Sequence, residues 1–197
     1  MRHRSANSFH GRRHLIAAAF VVKPLVFPRL LSSRECNHLI SFALGNGMET
    51  APLVGAWEGA RVGDVVIQSI LEPNFRWLQK RLAATFSEAN KDFRFELSNV
   101  SDIVQIARYS EGGQFAWHQD CDPEELPTKK LTMVIQLSER KSYDSGSFEI
   151  FPYGSLPFSE SVGSAIVFPS FMFHQASRVS RGQRYSLAAF SHGPCFQ

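Results

Sequence analysis

Two stretches of the chain repeat apolar residues at three- and four-residue spacing, and most of the remaining sequence carries them in short runs or alternation. The first helical pattern opens on Ser32-Ser-Arg-Glu35. There a serine side chain accepts from the third backbone N–H and the glutamate reaches back, which predicts a helix start. The pattern carries Cys36, Leu39, Ile40, Phe42, Ala43 and Leu44 towards a core and stops near Gly45 and Gly47, where glycine makes a left-handed cap easy. The second helix is predicted over 73–90, with Phe75, Leu78, Leu82, Ala83 and Phe86 on one stripe. Ahead of both, residues 16–28 read as an opening strand bent or ended by Pro24 and Pro28.

From residue 93 onwards turn residues separate short strand-like runs: Phe93–Leu97, Ile103–Tyr109, Gln114–Gln119, Lys130–Leu137, Ser147–Phe151, Ser164–Phe168, Phe171–Ala176 and Tyr185–Ser191. Such a series after two helices predicts a mainly β fold with flanking helices, a double-stranded β-helix of the jelly-roll, cupin-like type. Met48 to Ser69 shows no clear period. It holds Gly55, Trp57, Gly59, Arg61, Gly63 and Asp64, and reads either as a substrate-facing loop or as an ordinary surface loop. Residues 121–130, polar and with two prolines, read either as a lid or as a solvated hairpin connection.

Composition narrows the class. With 44% hydrophobic and 20% charged residues the chain is globular, and 197 residues suit one well-buried core, so residues 15–197 are read as a single domain. The net charge of +3 is uneven: Arg2, Arg4, Arg12 and Arg13 lie in a stretch, residues 1–14, without an acid. This basic segment is read as a disordered arm. The body that remains is close to neutral, which argues against a nucleic-acid partner, since such affinity is built from many Lys/Arg contacts to phosphate. Cys36, Cys121 and Cys195 are scattered and odd in number, so neither a disulfide framework nor a zinc ribbon is expected, and a reducing, cytoplasmic setting fits. Cys121 is read as a packing residue. No run reaches the roughly 18–20 apolar residues of a membrane span. The stretch from Arg12 to Val22 has a basic start and an apolar core like a signal peptide, but the apolar run continues into Pro24–Pro28 without a cleavage pattern. An opening strand is the preferred reading.

The chemistry concentrates in Tyr109-Ser-Glu-Gly-Gly-Gln-Phe-Ala-Trp-His-Gln-Asp120 and in His174 to Ser186. On an extended strand His118 and Asp120 face one way. A second imidazole, His174, follows the strand-like run 164–169. Two histidines and one carboxylate make the facial triad that holds non-haem Fe(II) with coordination positions open. Arg184 and Ser186 repeat the two-residue spacing, and a planar guanidinium beside a hydroxyl suits a carboxylate. His-x-Asp by itself is a weak signal, common on surface hairpins; the distal histidine and the Arg184/Ser186 pair give it weight.

At these residues the chain resembles the 2-oxoglutarate/Fe(II)-dependent oxygenases, and among them the prolyl 4-hydroxylase-like branch. The resemblance covers about residues 93–192 and rests on Tyr109, Gly112, His118 and Asp120, on Tyr143-Asp-Ser-Gly-Ser-Phe-Glu-Ile150, and on His174 with Arg184 ten residues later. Ser145 departs from the family, which usually has a glycine there, so the local turn is in question. The resemblance implies Fe(II) on His118, Asp120 and His174, chelated by the 2-oxo and C1 carboxylate oxygens of 2-oxoglutarate. It also implies that Arg184, helped by Ser186 and with Tyr109 as a further candidate, holds the far carboxylate. O2 takes the last position, succinate and CO2 are released, and a C–H bond is hydroxylated.

The substrate expected on this reading is a small amino-acid-like or peptide-derived molecule, since the chain is compact and has no added recognition domain; a protein side chain of prolyl type is the alternative. Asp120 favours hydroxylation over the halogenation seen in relatives without the carboxylate, while desaturation and cyclisation stay open. A zinc hydrolase could use the same three ligands but would leave Arg184 and Ser186 without a role. A nucleic-acid demethylase often carries two arginines near the end of the fold, as Arg178 and Arg184 are here, yet the body lacks a basic groove. A non-catalytic jelly-roll module would fit better if a ligand were missing. Oligomeric state is not legible.

Overall fold

The computed structural model describes residues 22–49, 60–121, 127–156 and 161–196. The basic arm 1–14, the first part of the opening strand, Trp57 with Gly55 and Gly59, and the middle of the 121–130 segment lie outside the described residues.

Strand β1 (Leu25–Phe27) leads into helix α1 (Ser33–Gly45), and β2 (Arg61–Val62) and β3 (Asp64–Ser69) precede helix α2 (Arg76–Phe93). There follow β4 (Asn99–Val100), β5 (Ile103–Tyr109), β6 (Gln114–His118), β7 (Lys129–Gln136), β8 (Tyr143–Ser145), β9 (Phe148–Ile150) and β10 (Gly154–Ser155). The last four are β11 (Ala165–Pro169), β12 (His174–Ala176), β13 (Val179–Gly182) and β14 (Arg184–His192). The larger sheet runs β1-β11-β7-β14-β5-β3, with β4 also pairing β14, and the smaller runs β10-β9-β12-β6-β2. All these pairings are antiparallel. The two sheets face each other as a jelly roll.

Helix α1 begins where its capping box predicts: Ser32 Oγ accepts from the Glu35 N–H while the Glu35 carboxylate accepts from the Ser32 N–H. Both helices cover the outer face of the larger sheet. Cys36, Leu39 and Ala43 from α1 and Leu78, Leu82 and Phe86 from α2 join one core with Ile106, Met133 and Leu187 from the sheet. The period of two then decides the rest. On β14, Leu187 and Ala189 meet the helices, so Arg184, Ser186, Ala188 and Phe190 point the other way, into the space between the sheets. On β5, Val104 and Ile106 face the helices and Gln105, Ala107 and Tyr109 face that space.

Two expectations need correction. The unpatterned stretch 48–69 is not all loop, because β2 and β3 occupy residues 61–69. Edge strands need no clean alternation, and the Asp64 carboxylate, accepting from Arg108 at 2.5 and 2.9 Å, ties β3 to β5. The alternating Phe93–Leu97 run is not a strand: α2 continues to Phe93, Arg94 takes a left-handed conformation, and the Asn90 side chain bonds both the N–H and the carbonyl of Phe95. Phe93, Phe95 and Leu97 use their alternation to pack on the core.

Ser145 stands at φ +59, with Gly146 at φ +65 behind it. A glycine is easiest in that left-handed conformation. The serine therefore keeps the turn a glycine would make, and its hydroxyl reaches Ser180 Oγ at 3.0 Å.

Candidate metal centre and co-substrate pocket

Adjacent strands of the smaller sheet bring the two imidazoles together, with His118 at the end of β6 directly opposite His174 at the start of β12. The next partners are Phe115 and Ala176, so three residues of β6 span what two span on β12. This bulge lets Phe115 and His118 share the inner face although they are three apart. Asp120 lies beyond the strand and is fixed separately, its N–H donating to the Ser170 carbonyl at 2.9 Å. Its Oδ1 is 3.8 Å from His118 Nε2 and its Oδ2 is 3.3 Å from His174 Nε2.

The three donor atoms lie within 4.8 Å of one another. Each imidazole makes a second contact that sets its tautomer. His118 Nδ1 meets the Ala116 carbonyl at 2.7 Å and His174 Nδ1 meets the Met172 carbonyl at 2.9 Å. A carbonyl only accepts, so Nδ1 carries the proton and the Nε2 lone pair of each ring is left for a metal. Thr132 Oγ1 donates to Asp120 Oδ2 at 2.7 Å and lies 3.0 Å from Ser170 Oγ, which orients the carboxylate. Nitrogen, nitrogen and oxygen donors with outer hydrogen bonds fit a divalent iron.

On the larger sheet Arg184 is 1% exposed, and its Nε and Nη2 have no hydrogen-bond partner among the described residues. Tyr109, its neighbour across β5 and β14, places its ring 5.9 Å from the guanidinium carbon. Ser186, on the same strand and face, is also buried and lines the same cavity as the imidazoles. Buried guanidinium N–H groups without an acceptor are costly unless a ligand supplies one. An anionic ligand in the cavity would meet that need.

Residues 104–192 match the model of the 2OG-Fe(II) oxygenase superfamily. This 2OG-Fe(II) oxygenase domain covers a little under half of the chain and takes in His118, Asp120, His174 and Arg184. It is similar to PKHD-type hydroxylases of Shewanella frigidimarina, 29% identical over 118 residues, and of Sphingopyxis alaskensis, 32% identical over 108 residues. Those matches take in 56% and 51% of this chain and 52% and 49% of the relatives, so the chain spans about half the length of the curated relatives it matches. The fold is that of a Pseudomonas putida prolyl-4-hydroxylase, with a TM-score of 0.71 at 14% identity, covering 88% of this chain and 94% of that one. A Trichoplax adhaerens prolyl hydroxylase, solved with a hypoxia inducible factor peptide fragment, gives 0.70 at 13% identity, over 86% of this chain and 83% of that one. The superfamily uses Fe(II), 2-oxoglutarate and O2. No described helix is long and apolar enough to cross a membrane.

Burial acts on the site's ionisable groups in opposite senses. It pushes the His118 imidazole down to about 3, helped by His174 and opposed by Asp120. Burial alone would raise Asp120, but the neighbouring imidazoles of His174 and His118 outweigh it and hold the carboxyl well below the usual range. A histidine kept neutral in the fold contributes stability that is present above its unfolded value near 6.5 and is lost as pH falls towards about 3. Asp120, depressed as well, adds a loss of the same sign at more acid pH. The metal-free protein is therefore expected to show a falling urea midpoint between pH 7 and pH 5, and a His118→Gln variant a flatter profile over that range.

All six candidate residues, His118, Asp120, His174, Arg184, Ser186 and Tyr109, line one cavity. Cys121 is half-buried beside the site. Arg178 is exposed while Arg184 is buried, so the two arginines do not form a pair. The sequence reading missed Thr132 and Ser170, whose roles depend on strands far apart in the chain. It also missed Phe115, which stacks on His118 at 3.5 Å between ring centres, and placed Arg61 only in a loop.

Proposed function

We propose that the protein is a 2-oxoglutarate- and O2-dependent hydroxylase acting on an unactivated C–H bond of a small amino-acid-like or peptide-derived substrate, with release of succinate and CO2. The observation that carries this reading is Arg184: a fully buried guanidinium with unmatched N–H groups, in the same cavity as two imidazoles and a carboxylate. A zinc hydrolase has no use for that cation, and a binding module has no reason to bury it. The peptide bound in the Trichoplax neighbour and the prolyl-4-hydroxylase fold support prolyl-type protein side chains as the second substrate class.

His118, Asp120 and His174 would hold Fe(II), which when bound supplies the activation of O2 and the oxidative decarboxylation of 2-oxoglutarate. The remaining work falls to the chain. The Ala116 and Met172 carbonyls keep both imidazoles in the tautomer that presents Nε2. Thr132 holds Asp120 in place. Arg184 orients the co-substrate by its far carboxylate, with Ser186 beside it and the Tyr109 ring as a wall, so the 2-oxo acid end meets the metal in one pose. The apolar Phe148 and Val134 in the lining limit water at the reacting end.

The test is anaerobic. Fe(II) and 2-oxoglutarate added to the protein are expected to give the weak visible band of a metal-chelated 2-oxo acid, and a His174→Ala variant is expected to lack it. Iron binding without a band would sink the reading.

A further inference from the structure

Arg61 enters the same cavity from the opposite sheet, and the proposed reaction gives it no role. Its strand, β2, sits on the edge of the smaller sheet, and Arg61 pairs directly with Phe115. The guanidinium carbon lies 4.0 Å from the centre of the Phe115 ring. His118 stacks on Phe115 at 3.5 Å and nearly parallel, at 16°. One ring face cannot hold both groups, so Phe115 is clamped between the arginine and the metal-binding imidazole. The clamp sets the height of the cation above the wall of the metal centre and uses only the face of its π-system. Its edge N–H groups remain, and Arg61 Nε is buried without a hydrogen-bond partner among the described residues. The nearby acid Asp64 is taken by Arg108.

Charge accounting points the same way. A divalent metal and dianionic 2-oxoglutarate cancel each other, and Asp120 offsets Arg184. The charge of Arg61 is left over. Lys129 adds to the excess, since its ammonium lies over the cavity-lining Phe190 at 3.7 Å. Both carboxylates of the co-substrate are occupied, one at the metal and one at Arg184, so a third anionic group has to come from a different molecule. We propose that Arg61 is a specificity-determining residue that binds a carboxylate of the prime substrate, so that the substrate class is an acid whose reacting C–H lies a short reach from its carboxylate. The proposal rests on the 2-oxoglutarate hydroxylase reading and narrows it towards free amino-acid-like acids and away from internal peptide residues, whose backbone carboxyls are amides.

The experiment uses protein loaded with Mn(II) and 2-oxoglutarate, in which binding is measured without turnover. Matched acids and amides (L-proline and L-prolinamide, L-leucine and L-leucinamide, L-lysine and L-lysinamide) are titrated calorimetrically into wild type, Arg61→Gln and Arg61→Lys. At least one acid is expected to bind at least tenfold more tightly than its amide. Arg61→Gln is expected to erase that preference, Arg61→Lys to keep part of it, and both to leave 2-oxoglutarate affinity within twofold of wild type. Acids and amides binding alike, no acid binding, or a tenfold loss of 2-oxoglutarate affinity in Arg61→Gln would each overturn the assignment, the last by giving Arg61 to the co-substrate. Failure of wild type to bind 2-oxoglutarate at all is a different result, one that removes the hydroxylase reading itself.

Discussion

Arg184→Gln is expected to weaken 2-oxoglutarate binding by about two to three orders of magnitude, while leaving metal affinity unchanged. Truncating one partner of a buried, hydrogen-bonded charge pair costs about 2–5 kcal/mol, much of it from leaving the other charge without a partner in a dry site. Arg184 is 1% exposed, so water cannot take over from the lost guanidinium. Glutamine keeps some hydrogen-bonding capacity and approximate bulk, which separates loss of charge from collapse of the pocket. The discriminating control is 2-oxobutyrate, which has the 2-oxo acid end but no far carboxylate. Its affinity should be low in wild type and the same in Arg184→Gln. A variant that binds 2-oxoglutarate normally in a calorimetric titration of the Mn(II) form would remove Arg184 from the co-substrate site.

The second large effect concerns the metal. Asp120→Ala is expected to lower divalent-metal affinity by more than about 100-fold, beyond the 10–100-fold that loss of an outer-shell partner costs. Three contributions disappear together: an oxygen donor, the negative charge between His118 and His174, and the acceptor for the Thr132 hydroxyl. Two neutral imidazoles are left, with no anion to balance the metal. Co(II) titration followed by visible absorption reads this directly, and affinity within tenfold of wild type would show that Asp120 is not a ligand.

These effects trace to residues that were legible to different degrees. His118, Asp120 and His174 stood out because metal chemistry needs a particular set of side chains, and that set survives in a one-dimensional reading. Arg184 and Ser186 were legible through the strand period, which the inward face of β14 bears out. The helix start at Ser32 was legible because a capping box is local, closed within four residues. The end of α2 was not: alternating Phe93, Phe95 and Leu97 look like a strand until Asn90 is seen to bond Phe95 and the three side chains are seen to meet the core.

What the chain determines by itself is therefore the inventory and its local order: two amphipathic helices, a series of short strands, three metal-type donors and one guanidinium at β spacing. What only the tertiary structure decides is which groups lack a partner and which distant groups meet. Arg61 is an ordinary loop arginine in the sequence. It becomes a cavity residue because β2 adds to the edge of β6, and its clamp on Phe115 follows from a bulge that no local pattern announces. Pairing across a sheet and burial away from water are relations between segments far apart in the chain, and it is these relations that turn a list of ligands into a site with a charge left to satisfy.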